Sequence, residues 1–374
     1  MEWIPFNYLQ KRECIAKGGF GTVYFGYWLN GPIKCWNIKY QQWERYVYRP
    51  VALKYLDKSD ISCLLEEVKP FVDLIDNTLF IQCLGFSQDP KTSQYIIIME
   101  YAELGSLSTY LSKNNMIWKN KLKALLDISI GLEHLHNSDL IHQDFHPGNL
   151  LFSHEKDLLI TDLGLCKPAD QCKQSDKIYG IIPYTAPEIF KKGSATKESD
   201  IYSFGMIMYF IATEKPPFFD CIHDEFLVLK ICKGIRPELN EIEIPKCYIE
   251  LMRSCWNSDP KERPTIIEVK RLIRSFYQEK NKEIKKQFEK AEEYKEAISI
   301  KNNQLLIHPG ASYTSKLLNP YLKDFSKNNN IDCSIEITNF MEDDFDESSK
   351  NNNIDCSIEI TNFMKNDFDE LSKK

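Results

Sequence analysis

The order of the hydrophobic patterns along the chain limits the fold more than any other feature of the sequence. Apolar and polar residues alternate in residues 22–25 and 51–55, and residues 95–99 are a continuous apolar run, as in buried strands. From Leu107 onward the apolar spacing is helical, and residues 121–136 carry one apolar face. Strands followed by helices predict an α+β protein with two unequal lobes.

The composition is that of a globular protein whose acidity is concentrated near its end. Hydrophobic residues make up 43% of the 374 and aromatic residues 12%, which is enough for a large core. The length predicts two domains, or one large domain with a tail. The net charge is −7, of which residues 301–374 contribute −5, from 8 Lys against 13 Asp and Glu. The nearly neutral remainder has no basic stripe, which argues against nucleic acid as a partner.

The cysteines and the apolar segments indicate a reduced compartment. The 12 cysteines are scattered and form no C-x-x-C pair, which favours free thiols and an intracellular location. The first residues show no signal-peptide pattern, and the longest apolar stretch, residues 201–212, is too short to cross a bilayer. We therefore expect a cytoplasmic protein, with the nucleus also open, and no membrane partner.

A tryptophan-rich segment separates the first two strands. Residues 24–50 contain Trp28, Trp36 and Trp43, and the Asn-Gly-Pro turn at 30–32 predicts an extended hairpin. We expect its aromatic rings to pack onto the N-terminal sheet.

Two later segments predict helices. Ser199 and Asp200 precede the apolar helix 201–212 and are expected to cap it. Residues 271–300 have helical spacing, with opposite charges three or four residues apart that contribute a few tenths of a kcal/mol per pair. We expect this charged stretch to be a solvated extension of the last core helix.

Residues 301–374 form a low-complexity acidic tail with an internal duplication. The sequence KNNNIDCSIEITNFM occurs at 327–341 and again at 350–364, a period of 23 residues, which defines repeat units 327–349 and 350–372. Two copies are too few for a solenoid. Their alternating apolar residues are compatible with a strand that docks a partner, but a disordered tail is favoured.

A glycine-rich loop and a later lysine predict a nucleotide site. Residues 15–23 read IAKGGFGTV, and glycines let backbone N–H groups approach phosphate oxygens. Lys54 ends the V-A-L-K sequence of an apolar strand, where an unpaired charge is costly, so it should meet an anion. The loop lacks the G-K-[ST] ending of a Walker A motif, which disfavours a P-loop NTPase.

Two further segments carry a resemblance to a known family. Residues 140–152 read LIHQDFHPGNLLF and residues 159–164 read LITDLG, and they are similar to the catalytic and magnesium-binding loops of eukaryotic protein kinases. The glycine-rich loop, strand lysine, helix glutamate, H-x-D-x-x-x-x-N, D-x-G and A-P-E motifs follow in the family's order. The runs DIYSFG and CWNSDPKERPT resemble the tyrosine-kinase-like branch, including its fungal expansions.

The resemblance implies a bilobal protein-kinase-like α+β fold over residues 9–275. Its N-lobe, residues 9–101, would be mainly antiparallel β with one helix, and its C-lobe, residues 102–275, mainly helical. A charged helical extension at 276–300 and the tail at 301–374 would follow. Two family positions would support the fold, because Glu188 of A-P-E pairs with Arg263 and Asp200 holds the catalytic loop from below.

The resemblance also implies catalytic roles. Phosphoryl transfer depends on positioning and on neutralising charge. Asp144 would orient or accept the proton of the substrate hydroxyl. Lys54 would contact the α- and β-phosphates and be held by a helix carboxylate, for which Glu67 fits best and Glu66 is the alternative. Asn149 and Asp162 would hold Mg²⁺, which prefers oxygen ligands.

ATP would lie between the lobes. Residues 99–102 would be the hinge, with the backbone of Glu100 and Ala102 pairing with adenine. The expected ATP-binding residues are Ile15, Ala16, Gly18, Gly21, Val23, Ala52, Lys54, Met99, Glu100, Ala102 and Leu151.

Four positions depart from the family pattern. Ala16 replaces the first glycine of the loop. Pro70 should kink or end the helix of Glu67, which puts the lysine–glutamate pair in doubt. Gln143 replaces the arginine of H-R-D and cannot pair with a phosphate, so phosphorylation of the activation loop is predicted to matter little. His146 stands where serine/threonine kinases carry lysine, which leaves the hydroxyl specificity open.

These residues predict a Mg-ATP-dependent protein kinase that favours Ser/Thr hydroxyls. Tyrosine or dual specificity is the first alternative, and a pseudokinase that binds ATP or acts as a scaffold is the second. A zinc site at His142, Asp144 and His146 is disfavoured because no further ligand pair follows. The expected partners are ATP, protein substrates and a docking partner for residues 327–372.

Overall fold

The computed structural model describes residues 1–18, 21–57, 60–74, 78–172, 177–240, 243–298 and 306–322 of the chain. Its N-terminal lobe is built around a six-stranded sheet in the order β1-β7-β8-β6-β3-β2, antiparallel except for the short pair β1–β7. In chain order the elements of this lobe are β1 (Glu2–Trp3), β2 (Leu9–Gly18), β3 (Gly21–Trp28), β4 (Ile33–Asn37), β5 (Gln42–Arg45), β6 (Arg49–Tyr55), α1 (Ile61–Asp73), β7 (Cys83–Gln88) and β8 (Tyr95–Glu100).

Alternation along β6 gives the sheet two apolar faces. Val51 and Leu53 belong to a small cluster on one side, whereas Ala52 belongs to the large core that continues into the C-terminal lobe. Because successive side chains of a strand point to opposite faces, Lys54 lies on the same face as Ala52, which borders the cleft between the lobes. The alternation that predicted strands here is confirmed.

The tryptophan-rich segment forms a hairpin, as expected, but its turn lies at residues 38–41 and not at the predicted 30–32, and most of its rings do not pack on the sheet. Strands β4 and β5 pair only with each other among the described residues. Trp28 is buried, whereas Trp36 and Trp43 are 47% and 56% exposed and contact each other edge to face across the hairpin. The prediction that the rings cover the sheet is therefore wrong for these two.

Helix α1 continues past its proline. Asp60 caps it by accepting the Ser62 N–H at 3.1 Å, and the helix runs three residues beyond Pro70 to its last residue. Proline removes one hydrogen bond inside a helix, but the bonds of the following turn form, since Leu74 N–H donates to the Pro70 carbonyl. Of the two predicted effects of Pro70, an end of the helix at this residue is wrong, and a kink there stays a prediction.

The C-terminal lobe is mainly helical, with short strand pairs at its edges, and the predicted α+β fold with two lobes is confirmed. Its helices are α2 (Leu107–Lys113), α3 (Trp118–Asn137), α4 (Pro187–Lys192), α5 (Lys197–Thr213), α6 (Glu225–Cys232), α7 (Lys246–Cys255), α8 (Ile266–Tyr277) and α9 (Lys282–Ile298). Its strand pairs are β9 (Leu140–Ile141) with β12 (Lys167–Pro168), β10 (Leu150–Phe152) with β11 (Leu158–Ile160), and β13 (Tyr179–Gly180) with β14 (Lys316–Leu317).

The central helix α5 begins earlier than the sequence suggested. Thr196 is its N-cap and accepts the Ser199 N–H at 3.3 Å, while the Ser199 hydroxyl accepts the Thr196 N–H at 3.0 Å. This reciprocal pair is a capping box. Ser199 and Asp200 therefore lie inside the first turn, and the predicted cap was placed about one turn too late.

Helix α9 is a separate helix and not an extension of α8. Glu279, at φ 50°, lies between the two helices. The buried side chains of Ile284 and Phe288 face the lobe, and the Phe288 ring lies 5.5 Å from that of Trp118. The Trp118 N–H donates to Glu292 Oε2 at 2.6 Å. The apolar positions of this charged stretch make it fold back, so the prediction of a solvated extension is wrong.

Part of the C-terminal tail packs on the body of the protein. Residues 306–322 contain β14 and lie against the C-terminal lobe, while the repeats at 327–372 fall outside the described residues. Among the helices of the described ranges, none combines the length and the apolar character that a bilayer crossing needs.

Candidate active site

An ion-pair network joins the two lobes at the cleft. Lys54 on β6 lies 2.5 Å from Glu67 Oε1 on α1 and 2.6 Å from Asp162 Oδ1 in the C-terminal lobe. Burial alone would lower the pKa of Lys54, but the carboxylates of Asp162 and Glu67 outweigh it and raise the pKa above its usual value. The lysine is therefore a fixed cation, and Glu67, not the exposed Glu66, is its helix partner.

Two glycines permit the close approaches around this network. A Cβ on Gly164 would lie 2.1 Å from Glu67 Oε2, so only a glycine leaves room for the carboxylate. A Cβ on Gly21 would lie 2.1 Å from the Tyr55 carbonyl oxygen, and its φ of 136° also disfavours other residues. Gly164 thus leaves room for the carboxylate that pairs with Lys54, and Gly21 lets β3 approach β6 closely.

The catalytic loop, residues 142–149, is held by a buried aspartate. Asp200 accepts the backbone N–H groups of His142 at 2.9 Å and of Gln143 at 3.2 Å. Asn149 Nδ2 donates to the Asp144 carbonyl at 2.9 Å and closes the loop. The expected support of the loop from below is confirmed by these contacts.

Asp144 itself is buried and ionised. Burial alone would raise its pKa, but the His146 imidazole, the Ser315 hydroxyl and His142 lower the pKa below its usual value. His146 Nδ1 accepts the Gly148 N–H at 3.1 Å, which leaves Nε2 facing Asp144 Oδ1 at 3.4 Å. At neutral pH Asp144 is thus a carboxylate able to accept a proton.

A cleft of about 450 Å³ brings most of the expected nucleotide-binding residues together. Gly18 does not line it and instead pairs with Gly21 where β2 meets β3. Ile97 lines the cleft but is not among the expected residues, although alternation on β8 places it on the same face as Met99, two residues later. Residues 313–315 also line the cleft, and no local sequence pattern marks them. The expected residues that line the cleft are Ile15, Ala16, Gly21, Val23, Ala52, Lys54, Met99, Glu100, Ala102 and Leu151, with Glu67, Asp144, Asn149 and Asp162.

The histidines of the disfavoured zinc site are engaged with the backbone. His142 Nε2 lies 3.2 Å from the Thr161 carbonyl oxygen, and His146 Nδ1 accepts a backbone N–H. In the described ranges there is no cluster of three or more His, Cys, Asp or Glu side chains arranged to hold a metal. The loop geometry therefore offers no support for zinc.

Comparison with known families agrees with this geometry. A family model described as protein tyrosine and serine/threonine kinase matches residues 9–273. The chain belongs to this protein kinase family.

Relatives of this kinase domain include proteins with diverse names. Mouse receptor-interacting serine/threonine-protein kinase 4 is 28% identical over 286 residues, which cover 73% of this chain and 34% of the relative. Mouse ankyrin repeat and protein kinase domain-containing protein 1 is 28% identical over 280 residues, which cover 70% of this chain and 35% of the relative. Dual specificity protein kinase splA of Dictyostelium discoideum is 28% identical over 286 residues, which cover 71% of this chain and 11% of the relative. The matched region thus spans 35% or less of each of these relatives.

Within the kinase domain, the side chain of Gln143 binds the backbone of the activation segment, residues 162–188. Gln143 Nε2 donates to the Leu165 carbonyl at 2.6 Å. The amide therefore makes directly a contact with this segment that does not require a phosphate. That phosphorylation of the segment matters little for activity stays a prediction.

The end of the kinase activation segment is fixed by the expected ion pair. Arg263 Nη1 and Nη2 donate to Glu188 Oε1 and Oε2 at 2.6 and 2.8 Å, and both side chains are buried. Arg263 also donates to the carbonyl groups of Glu198 and Asn257, each at 2.8 Å. This bidentate pair anchors α4 to the loop before α8.

Proposed function

We propose that the protein transfers the γ-phosphate of Mg-ATP to protein hydroxyl groups, with serine and threonine favoured over tyrosine. The observation that best supports this is the joining of Lys54, Glu67 and Asp162 into one network in the same cleft as a buried, ionised Asp144. Phosphoryl transfer needs a fixed cation for phosphate and a carboxylate for the acceptor hydroxyl, and this cleft contains both.

The cleft fits the two parts of ATP. Lys54 presents its ammonium group to the phosphates. Its two carboxylate partners, Glu67 and Asp162, hold that group in place in a cleft that is open to ligand. The apolar side chains of Val23, Ala52 and Leu151 line the same cleft and suit the faces of a purine base. Binding therefore orients the nucleotide with its phosphates toward Asp162.

The residues present also fit Mg²⁺. The Asn149 amide nitrogen donates within the loop, so its side-chain oxygen is the atom left for a ligand, and Asp162 supplies a carboxylate. Oxygen atoms are the ligands that Mg²⁺ prefers. When bound, the ion would neutralise charge on the phosphates, while Asp144 positions the acceptor hydroxyl and takes its proton.

Two other functions remain as alternatives. Tyrosine or dual specificity is supported by the name of one relative, the dual specificity protein kinase splA. A pseudokinase would explain the departures at Ala16 and Gln143, but a scaffold has no chemical need for Asp144, Asn149 and Asp162 in one cleft. We therefore favour catalysis.

The test is transfer of radiolabelled phosphate by the purified full chain. With Mg²⁺ we expect label on added protein substrates, in phosphoserine and phosphothreonine, and we expect EDTA to abolish it. Label confined to phosphotyrosine would support the first alternative. Nucleotide binding without transfer to any substrate, across a panel of basic and acidic proteins, would overturn the proposal in favour of the pseudokinase.

Gly164→Ala is expected to lower kcat/KM for an added substrate by about 100-fold with little effect on stability. The new Cβ would displace the Glu67 carboxylate, and the end of a flexible side chain can move without unfolding the protein. Lys54 would then lose one of its two anchors. The assay compares initial rates and thermal unfolding midpoints of the wild type and the variant. A full rate in the variant would show that the Lys54–Glu67 pair is not needed.

A further inference from the structure

Residues 306–322 add a strand to the activation segment. Strand β14 pairs antiparallel with β13, and the pairing continues where Leu318 N–H donates to the Ile178 carbonyl at 2.7 Å. Ile178 N–H in turn donates to Asn319 Oδ1 at 2.9 Å. Addition of an extended strand to a free edge is a common way in which a protein binds a peptide. The tail therefore lies on the kinase domain as a bound peptide would.

Contacts on both sides of β14 hold the segment in place. His308 N–H donates to the Phe219 carbonyl at 2.8 Å, and the Tyr313 hydroxyl donates to the Pro217 carbonyl at 3.0 Å. After β14, Leu318 is fully buried in the core of the C-terminal lobe. Residues 313–315, which run from the Tyr313 anchor to β14, line the active-site cleft.

Three consecutive hydroxyl residues of the segment lie at the cleft, and their environments differ. The Tyr313 hydroxyl is bonded to a carbonyl, and burial raises its pKa. Thr314 is exposed. The Ser315 Oγ is buried and has no hydrogen-bond partner of good geometry within the described ranges. It lines the same cleft as Asp144, and the hydroxyl helps lower the pKa of that carboxyl group. Ser315 is therefore the hydroxyl presented to Asp144.

We infer that residues 306–322 are bound as a substrate in cis and that Ser315 is their phosphoacceptor. This inference rests on the proposed function and names a substrate for the same site. It is supported by the strand pairing, by the anchors at both ends and by the unpartnered hydroxyl beside the catalytic carboxylate.

The chemical step is the ordinary phosphoryl transfer. A bond forms between Ser315 Oγ and the γ-phosphorus of ATP, and the bond from that phosphorus to the β,γ-bridging oxygen breaks. The electron pair of the broken bond leaves with ADP. Asp144 accepts the hydroxyl proton and then releases it to solvent, so the products are phosphoserine, ADP and a proton.

Modification changes the charge at the cleft. Phosphoserine carries about −1.5 to −2 charges at neutral pH and would lie beside the negative Asp144. The phosphate and the Asp144 carboxylate are both negative and repel each other, so the modified segment should leave the cleft. Phosphorylation of Ser315 should therefore precede full activity on added substrates, which appears as a lag.

The experiment follows the full chain in Mg-ATP by mass spectrometry at several protein concentrations. Cleavage after lysine yields the peptide 302–316, and fragmentation assigns the phosphate within it. We expect phosphate on Ser315, at a fractional rate that does not change with protein concentration, because the acceptor is in the same molecule. Phosphorylation of an added peptide is measured in the same samples.

Three variants make the test specific. Ser315→Ala should remove phosphate from this peptide, and Thr314→Ala, the matched control with an exposed hydroxyl, should retain it on Ser315. Leu318→Asp places a charge in a buried position of the segment, so it should release the segment. This variant should lose most of the Ser315 label and phosphorylate an added peptide without a lag.

Each outcome decides between the two proposals. Label on added peptide with none on Ser315 overturns the inference and leaves the proposed function standing. Ser315 labelling whose fractional rate rises with protein concentration overturns the cis assignment. A wild-type chain that never carries label on Ser315, together with a faster Leu318→Asp variant, would show a segment that only blocks the site. No label on any substrate overturns both proposals.

Discussion

Asp144→Asn is expected to lower phosphoryl transfer to an added substrate by about 100- to 10,000-fold, the usual contribution of a positioned general base. Asparagine has the same size and can still accept a hydrogen bond from a substrate hydroxyl. It cannot take the proton, because an amide oxygen is a very weak base. Nucleotide affinity should change little, since Lys54 and Asp162, and not Asp144, form the cation network for the phosphates.

The measurement compares initial transfer rates with nucleotide affinity determined by titration. Asp139→Asn is the matched control, since Asp139 is an exposed aspartate that pairs with Lys197 at 2.7 Å outside the cleft. Its left-handed backbone, φ 57°, tolerates asparagine. The control should keep the wild-type rate. An Asp144→Asn variant that transfers phosphate at the rate of the control would remove Asp144 from the mechanism.

The site could be predicted from sequence where the chemistry is carried by short, ordered segments. Lys54 can be identified because an unpaired charge on an apolar strand is costly. Asp144, Asn149 and Asp162 can be identified by their spacing between apolar runs. Alternation also places Lys54 on the cleft face, because residues two apart on a strand lie on the same face and Ala52 belongs to the core on that face.

The rest depended on contacts between residues distant in sequence. Nothing near Pro70 shows that the surrounding core holds α1 together past the lost hydrogen bond. Helix α9 has a charged pattern, yet its path is set by Phe288 against Trp118, 170 residues earlier. In the same way, the composition of residues 301–374 indicates a disordered tail, whereas the pairing of β14 with β13 depends on an edge that the fold creates.

Arg263→Leu is expected to reduce the free energy of unfolding by about 3–5 kcal/mol, because it leaves the buried Glu188 carboxylate without its partner. That is a large fraction of the roughly 5–15 kcal/mol by which a domain is usually stable. Urea unfolding of the full chain, followed by tryptophan fluorescence, measures the shift. Lys285→Ala removes an exposed partner of Glu279, at 3.2 Å, and should leave the urea midpoint nearly unchanged, because solvent screens a surface ion pair.

The double variant Glu188→Leu/Arg263→Leu separates the ion pair from the other bonds of the arginine. Removing both charges leaves no unpaired ion in the core, so the double variant should be less destabilised than the sum of the two single variants. Some loss should remain, because the carbonyl groups of Glu198 and Asn257 also lose their donor. Strictly additive effects would mean that these carbonyl contacts, and not the pairing with Glu188, are what Arg263 contributes to the stability of the C-terminal lobe.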